Sequence, residues 1–160
     1  MTIKVGDRMP EGSFGIMTKE GPGSISTGDL FKGKKVVLFA VPGAFTPTCS
    51  MNHLPGYVKH AAEFKAKGVD TIACMSVNDT FVMDAWGKDK QAAGAVTMLA
   101  DGNGTYTKAL GLELDATGFG MGMRSQRFAI VVQDGVVKQL HVEAPREFKV
   151  SAAEHVLKNL

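Results

Sequence analysis

The stretch KKVVLFAVPGAFTPTCSMNHLPGYVKHAAEFKAKGVDTIACMSV (residues 34–77) decides the fold of this 160-residue chain. It begins with KKVVLFAV (34–41) and ends with VDTIACMSV (69–77), two short β-branched-rich segments that predict buried strands flanked by helices. Between them, apolar residues across 49–67 recur at spacings of three and four, which predicts a helix that stops at Gly68. The stretch is therefore a strand, helix, strand unit, the building block of an α/β protein.

The remainder of the chain adds further elements to this unit. A second helix is predicted over residues 81–90 and a short strand over 96–100. The segment RFAIVVQDGVVKQLHV (127–142) predicts two strands joined at Asp-Gly, the dipeptide most typical of a tight hairpin. A final helix is predicted over 151–160. The short Gly-rich stretches, 21–23 among them, are predicted to be surface loops.

Composition predicts a single folded domain over residues 1–160. Hydrophobic residues make up 44% of the chain and charged residues 21%, which is typical of a globular protein with a packed core. The length suits one domain better than two. The net charge is +2, with basic residues scattered among acidic ones, so nucleic acid is not an expected partner.

Three features of the sequence indicate where in the cell the protein is expected: the apolar runs, the N-terminus and the cysteines. The longest apolar run, residues 36–41, is far shorter than the roughly 20 residues that span a bilayer, so no membrane association is expected. The N-terminal MTIKVGDRMP has neither the apolar stretch of a secretory signal nor the Arg-rich character of a transit peptide. Two cysteines are too few for a disulfide scaffold, which favours a reducing, cytoplasmic compartment and leaves the thiols free for chemistry.

The segment VPGAFTPTCSMNHLPG (41–56) holds the residues best suited to chemistry. Cys49 is predicted in the first helical turn, where unpaired backbone N–H groups and the positive end of the helix dipole favour the thiolate over the thiol. Thr46 or Thr48 is predicted to cap that helix. Pro42 stiffens the loop, because its φ is fixed, and helps to shield the sulfur from water.

Two further residues of this helix have specific consequences. Pro55 lies inside it and has no N–H to donate, so a kink or bulge is predicted. His53 follows Cys49 at i+4 and shares its face, so a Cys-His pair for proteolysis or acyl transfer is an alternative. No orienting Asn or Asp and no oxyanion site is evident to support it. The other three histidines show no metal-site spacing with either cysteine, so no metal is predicted.

The residues Pro42, Thr46 and Cys49 in PGAFTPTC match the PxxxTxxC signature of peroxiredoxins. The surrounding sequence resembles the subfamily that contains peroxiredoxin 5 and the plant type II enzymes. The resemblance extends over nearly the whole chain, through the segments VGDRMPEGSF, HLPGYV, SVNDTFVMDAW and RSQRFAIVVQDGVV. It implies a thioredoxin-like α/β fold with a central mixed sheet flanked by helices.

The resemblance also implies roles for the matching residues. Cys49 is then the peroxidatic cysteine, Thr46 orients the peroxide, Pro42 shields the site and Arg127 is the stabilising cation. An arginine suits this chemistry independently, because it keeps its charge and offers several donors in a fixed fork. The alternatives are that Cys49 is an inert core cysteine and Arg127 a surface arginine that starts a strand. Arg124 is either a second cation in the pocket or a solvated loop residue.

The predicted activity is the reduction of hydrogen peroxide and alkyl hydroperoxides through a Cys49 sulfenic acid. The alternative is a peroxide-responsive redox sensor or binding protein, in which oxidation changes a partner contact. No bound cofactor is expected. By resemblance to the family, a homodimer is expected as well.

A sulfenic acid must be reduced by a second thiol, and the chain offers only Cys74. It lies on a predicted buried strand, so it is either a resolving cysteine or a structural one. Members resembling peroxiredoxin 5 often have a resolving cysteine near the C-terminus, whereas EAPREFKVSAAEHVLKNL contains none. A cysteine at this position resembles the plant type II pattern, which implies recycling by an external thiol: glutathione, glutaredoxin or thioredoxin.

Overall fold

The structure, a computed structural model that describes residues 1–160, contains nine strands and six α-helices. The strands are β1 (Ser13–Thr18), β2 (Gly21–Ser26), β3 (Lys35–Ala40), β4 (Thr71–Ser76), β5 (Thr97–Ala100), β6 (Glu113–Asp115), β7 (Met123–Ser125), β8 (Phe128–Gln133) and β9 (Val136–Val142). The helices are α1 (Thr27–Phe31), α2 (Leu54–Lys59), α3 (Ala61–Ala66), α4 (Thr80–Asp89), α5 (Thr105–Leu110) and α6 (Ala153–Lys158).

Seven of the strands form one mixed sheet in the order β2-β1-β5-β4-β3-β8-β9. The central strands β3, β4 and β5 run parallel, as strands joined by helical crossovers do, and all other pairs are antiparallel. β6 and β7 form a separate two-stranded ribbon. The predicted mixed central sheet flanked by helices is confirmed. None of the helices has the length and apolar character needed to cross a bilayer.

The two faces of the sheet pack against different helices. On one face, the alternate β3 residues Val37 and Phe39 join a cluster with residues of α2, α3, α4 and α6. On the other, Val36 and Leu38 join a cluster with residues of α1 and α5. Because side chains alternate along a strand, the fully apolar run of β3 supplies both clusters, as expected for a strand covered on both faces.

The chain between β3 and β4 is helical, as predicted, but it is not one regular helix. Residues Cys49–His53 are π-helical, and the Leu54 N–H donates to the Cys49 carbonyl. Pro55 follows directly and has no N–H, so the regular hydrogen-bond pattern is interrupted, which confirms the predicted bulge. His60 then separates α2 from α3.

The N-terminal hairpin corrects one prediction. Residues 21–23, predicted as a surface loop, begin β2, which pairs with β1 from Thr18 and Gly21 to Ser13 and Ser26. The Thr18 hydroxyl donates to the Gly21 carbonyl at 2.7 Å and stabilises the turn between the strands. The Gly-rich sequence has no alternating pattern, so the strand depends on its pairing with β1 rather than on its own propensity.

Candidate active site

Cys49 lies at the start of the helical crossover, and its side chain has no exposed surface. The preceding Pro47 and Thr48 are already helical, which places the sulfur in the first turn. The predicted caps are wrong: Thr48 makes no capping hydrogen bond, and the Thr46 hydroxyl donates to the Gly43 carbonyl at 2.7 Å. This bond leaves the lone pairs of the Thr46 oxygen free to accept a proton donor.

Arg127 brings its guanidinium directly to the cysteine. Its Nη2 donates to Cys49 Sγ at 3.1 Å, and its Nη1 donates to His53 Nδ1 at 2.8 Å. The Arg127 Cζ lies 5.8 Å from the centroid of the Phe148 ring. The guanidinium therefore brings a permanent positive charge and a hydrogen-bond donor directly to the buried sulfur. Cys49 is therefore in the core but is not surrounded by hydrocarbon alone.

His53 is the acceptor that holds Arg127, and it does not act on the cysteine as a base. Its burial, with the Arg127 charge as a second cause, lowers the pKa of His53 to about 3, although a hydrogen bond with the Ser151 backbone opposes the shift. The ring is therefore neutral near pH 7. Because Nδ1 accepts from Arg127, Nε2 carries the proton and donates to the Ser151 carbonyl at 3.1 Å. The Cys-His alternative has no support in this geometry.

The loop that contains Pro42, Gly43 and Thr46 is anchored by the side chain of Asn78. The Ala44 N–H donates to Asn78 Oδ1 at 3.0 Å, and that oxygen also accepts from the Ser76 hydroxyl at 2.6 Å. Pro42 is half-buried, two residues after the end of the sheet strand β3. The loop therefore approaches Cys49 in a fixed conformation.

Arg124 is neither a second cation at the sulfur nor a solvated residue. Its Nε donates to the Met121 carbonyl at 2.9 Å, and its Nη1 donates to the Val77 carbonyl at 3.2 Å. A Cβ built on Gly43 would lie 3.4 Å from Arg124 Nη1 and 3.1 Å from Met121 Cε. Arg124 thus joins the loop after β4 to the loop before β7, beside the segment that leads to Cys49.

Cys74 lies in the middle of β4, paired with Phe39 of β3 and Met98 of β5, and is completely buried. It belongs to the same hydrophobic cluster as Cys49, on the same face of the sheet. Burial raises the pKa of the Cys74 thiol well above its usual value. The neighbouring Cys49 sulfur adds to this shift, and the Arg127 charge opposes it. Cys74 therefore stays protonated at neutral pH, and neither cysteine forms a disulfide.

Sequence reasoning missed several residues of this site. Asn78, Tyr57 and Ser151 all contribute hydrogen bonds near it, and the tyrosine hydroxyl donates to the Ser151 carbonyl at 2.7 Å. The i+4 spacing drew attention to His53 but suggested Cys49 as its partner, whereas the partner is Arg127. No local signal connects these positions, because the fold alone brings them together.

The fold and the site together define a class of protein. A mixed sheet with helical crossovers holds a cysteine in the first helical turn after the buried strand β3, and a guanidinium donates to its sulfur. This is a redox-active thiol protein of thioredoxin-like fold.

Comparison with known proteins identifies the family. The Redoxin family model matches residues 4–157. The chain is similar to Peroxiredoxin-2D of Arabidopsis thaliana, with 50% identity over 99% of this chain and 98% of that protein. It is also similar to the solved structure of reduced Prx3 from Vibrio vulnificus in complex with H2O2, with 55% identity, a TM-score of 0.95 and coverage of 99% of both chains. The chain therefore belongs to the peroxiredoxins, the thiol-dependent peroxidases, as the sequence predicted.

A third similar protein has a different description. A structure from Burkholderia cenocepacia, described as a thioredoxin reductase, has 50% identity and a TM-score of 0.97, and the match covers 100% of this chain and 99% of that one. Cys49 and Cys74 do not form the Cys-x-x-Cys pair of disulfide oxidoreductases. The reductase description therefore does not bear on the chemistry of this chain.

Proposed function

We propose that this peroxiredoxin reduces hydrogen peroxide and small alkyl hydroperoxides at Cys49, and that an external thiol then reduces the resulting sulfenic acid. The external thiol is glutathione acting with glutaredoxin, or thioredoxin. The observation that carries the proposal is the 3.1 Å hydrogen bond from Arg127 Nη2 to Cys49 Sγ. That the Vibrio vulnificus relative was crystallised with H2O2 supports peroxide as the substrate.

In the first step, the Cys49 thiolate attacks one peroxide oxygen in line with the O–O bond. The S–O bond forms as the O–O bond breaks, and the departing alkoxide takes a proton to leave as an alcohol, or as water from hydrogen peroxide. Arg127 is placed to donate to peroxide oxygens as negative charge moves from sulfur to the leaving oxygen. The lone pairs of Thr46 are free to accept from the peroxide O–H, and Pro42 limits the access of water.

In the second step, an external thiol attacks the sulfenic sulfur and releases water, which leaves a mixed disulfide on Cys49. A second external thiol then reduces that disulfide and restores the Cys49 thiol. Two features support an external partner over Cys74. Cys74 lies in the middle of the central strand β4, paired on both sides, and the raised pKa of its thiol keeps it protonated and therefore a poor nucleophile. Two free thiols also fit a reducing, cytoplasmic compartment.

Intact-mass analysis tests the proposed recycling. The reduced protein receives one equivalent of peroxide in the presence of glutathione, and we expect a glutathione adduct on Cys49 that glutaredoxin removes. The matched variant Cys74→Ala should behave like the wild type. A Cys49 to Cys74 disulfide as the species that turns over would reject the proposal.

A second experiment separates an enzyme from a redox sensor. An enzyme supplied with a recycling system consumes peroxide continuously, whereas a sensor stalls after one oxidation.

We also propose that the protein forms a homodimer. Five large apolar side chains are 51% to 76% exposed on segments near Cys49: Phe45, Met51, Phe81, Phe119 and Met123. Phe45 lies 6.4 Å from Trp86 between ring centroids, and Met123 follows the loop that Arg124 anchors. Exposed apolar side chains around a site favour association with another protein surface. A second copy of the chain presents the same apolar surface, so two copies can pair through it.

A further inference from the structure

The loop 143–151, between β9 and α6, is folded around the carboxylate of Glu143. Its Oε2 accepts hydrogen bonds from the Lys149 N–H at 2.7 Å, the Ser151 N–H at 2.8 Å and the Ser151 hydroxyl at 2.6 Å. Glu143 is buried, with 8% of its surface exposed. Burial alone would raise its pKa, but the hydrogen bonds from Ser151 and Lys149 lower the pKa of Glu143. One carboxylate therefore closes the loop.

The closed loop directs a carbonyl and a ring toward the active site. The Ser151 carbonyl accepts from the Tyr57 hydroxyl at 2.7 Å and lies 3.1 Å from His53 Nε2. The Phe148 ring packs 5.0 Å from the His53 ring between centroids and 5.8 Å from the Arg127 Cζ. His53 holds Arg127, and Arg127 holds the Cys49 sulfur. A continuous series of hydrogen bonds thus connects the Glu143 carboxylate with the reactive atom.

Glu143 is connected to Arg127 by a second route. Its own N–H donates to the Arg127 carbonyl at 3.0 Å. Glu143 thereby fixes the backbone of the arginine directly and the guanidinium indirectly, through Ser151 and His53. Neither Glu143 nor Ser151 has a hydrogen bond to Cys49, so neither touches the reacting sulfur directly.

We propose that Glu143 is a positioning residue for the peroxidase reaction, because it fixes the Ser151 carbonyl that orients His53 and hence the Arg127 guanidinium at Cys49. The inference rests on the role proposed for Arg127. An arginine side chain loses considerable rotamer freedom when it is held in one geometry, and the His53 anchor supplies that restraint before peroxide arrives. In Glu143→Gln a neutral amide oxygen replaces the carboxylate as acceptor of the three hydrogen bonds. Because hydrogen bonds to a charged acceptor are roughly twice as strong as neutral ones, the loop and the His53 anchor are then held less firmly.

The test compares Glu143→Gln with Glu147→Gln. Glu147 lies in the same loop but is exposed, and its carboxylate pairs with the Lys149 ammonium at 3.7 Å. Rapid-mixing kinetics should show that Glu143→Gln slows the reaction of Cys49 with hydrogen peroxide about tenfold. This is less than the roughly 10²-fold loss that a 1 Å misplacement can cause, because the arginine is displaced only indirectly. Glu147→Gln should react like the wild type.

A second readout separates positioning from a general loss of stability. The ring nitrogen signals of His53 in 15N NMR should show the Nε2–H tautomer in the wild type and in Glu147→Gln, and exchange broadening or a tautomer mixture in Glu143→Gln. Ser151→Ala removes only one hydrogen bond to the carboxylate, so it should lie between the wild type and Glu143→Gln in both measurements. If Glu143→Gln does not fold, Ser151→Ala is measured in its place. Glu143→Asp should recover part of the rate.

Three results would overturn the inference. They are a wild-type rate in Glu143→Gln, a slower rate with an unchanged His53 signal, or, if that variant does not fold, a wild-type rate in Ser151→Ala. Arg127→Ala, measured in parallel, separates this failure from that of the proposed function. If it reacts slowly while Glu143→Gln reacts normally, only the positioning role is lost. If it too reacts normally, the proposed use of the arginine is wrong.

Discussion

Arg127 connects the reactive sulfur with the histidine behind it, and its two donors bind two different acceptors. Arg127→Ala should lower the rate constant for hydrogen peroxide by about 10² to 10³, the usual loss when one donor to developing negative charge is removed. Arg127→Lys keeps the charge but has no planar fork that can donate to both acceptors. Its rate constant should therefore lie between those of Arg127→Ala and the wild type. Stopped-flow fluorescence can follow the reaction through Trp86, whose Nε1 donates to Ser50 Oγ at 2.8 Å, one residue from Cys49.

The control for this series is Arg146→Ala, which removes an exposed arginine with no side-chain hydrogen bond. It should react with peroxide at the wild-type rate. A loss in Arg127→Ala no larger than that in Arg146→Ala would mean that the guanidinium does not assist the reaction.

His53 makes the stability of the protein depend on pH in a defined direction. The folded state lowers the pKa of His53 to about 3 from 6.5, so between these values the unfolded state binds a proton that the folded state does not. The stability is present in full above about pH 6.5 and is lost as the pH falls toward 3. At pH 5 this single group should lower the free energy of unfolding by on the order of 2 kcal/mol relative to pH 7.

Urea denaturation of the wild type and of His53→Gln at pH 7 and pH 5 measures this contribution. Glutamine is neutral at both values, so its free energy of unfolding should fall by about 2 kcal/mol less between them. An equal fall in both proteins would show that His53 does not titrate in the unfolded state alone.

At the level of single residues, the sequence predicted the reactive residues that lie within recognisable motifs. Cys49 at the start of a helix follows from the strand and the spacing around it, and Arg127 followed from the family resemblance. The contact between His53 and Arg127 spans 74 positions, and that between Ala44 and Asn78 spans 34. No periodicity connects such positions, so hydrogen bonds that depend on strand order require the structure.

Among the elements, those with strong local signals were predicted and the others were not. β3, β4 and the β8–β9 hairpin have apolar runs or an Asp-Gly turn, and Asp134 and Gly135 adopt positive φ values of 48° and 80°. β2 and the β6–β7 ribbon have weak propensity and exist through pairing with a neighbouring strand. The π-helical turn was predicted only as an unspecified bulge, since Pro55 shows where the pattern breaks and not how the chain adapts.

The β8–β9 turn supports a prediction about stability alone. Gly135→Ala places a Cβ at a positive φ and 3.2 Å from Arg8 Nη1, so the free energy of unfolding should fall by about 1 kcal/mol. The turn is remote from Cys49 in the hydrogen-bond network, and the peroxide rate should not change. Gly28→Ala, in α1, is the matched control and should stabilise by roughly 0.5–1 kcal/mol. Equal effects in the two variants would contradict the argument from φ.

At the level of the whole molecule, the sheet and its two cores account for most of the apolar residues, and the exposed ones are concentrated near Cys49. If Phe45, Met51, Phe81, Phe119 and Met123 form the dimer interface, Phe119→Glu should place a charge in an apolar contact and convert the dimer to a monomer at micromolar concentration. Sedimentation velocity across a dilution series measures this conversion.

Val5→Glu is the matched control, because Val5 is also exposed, at 58%, but lies outside the proposed interface. Its neighbour Gly6 donates its N–H to the Val137 carbonyl in β9. A wild type that sediments as a monomer at every concentration, or an equal effect of both variants, would reject the proposed interface. Because Phe45 and Met51 lie on the segment that contains Cys49, the monomer should also react more slowly with peroxide than the dimer does.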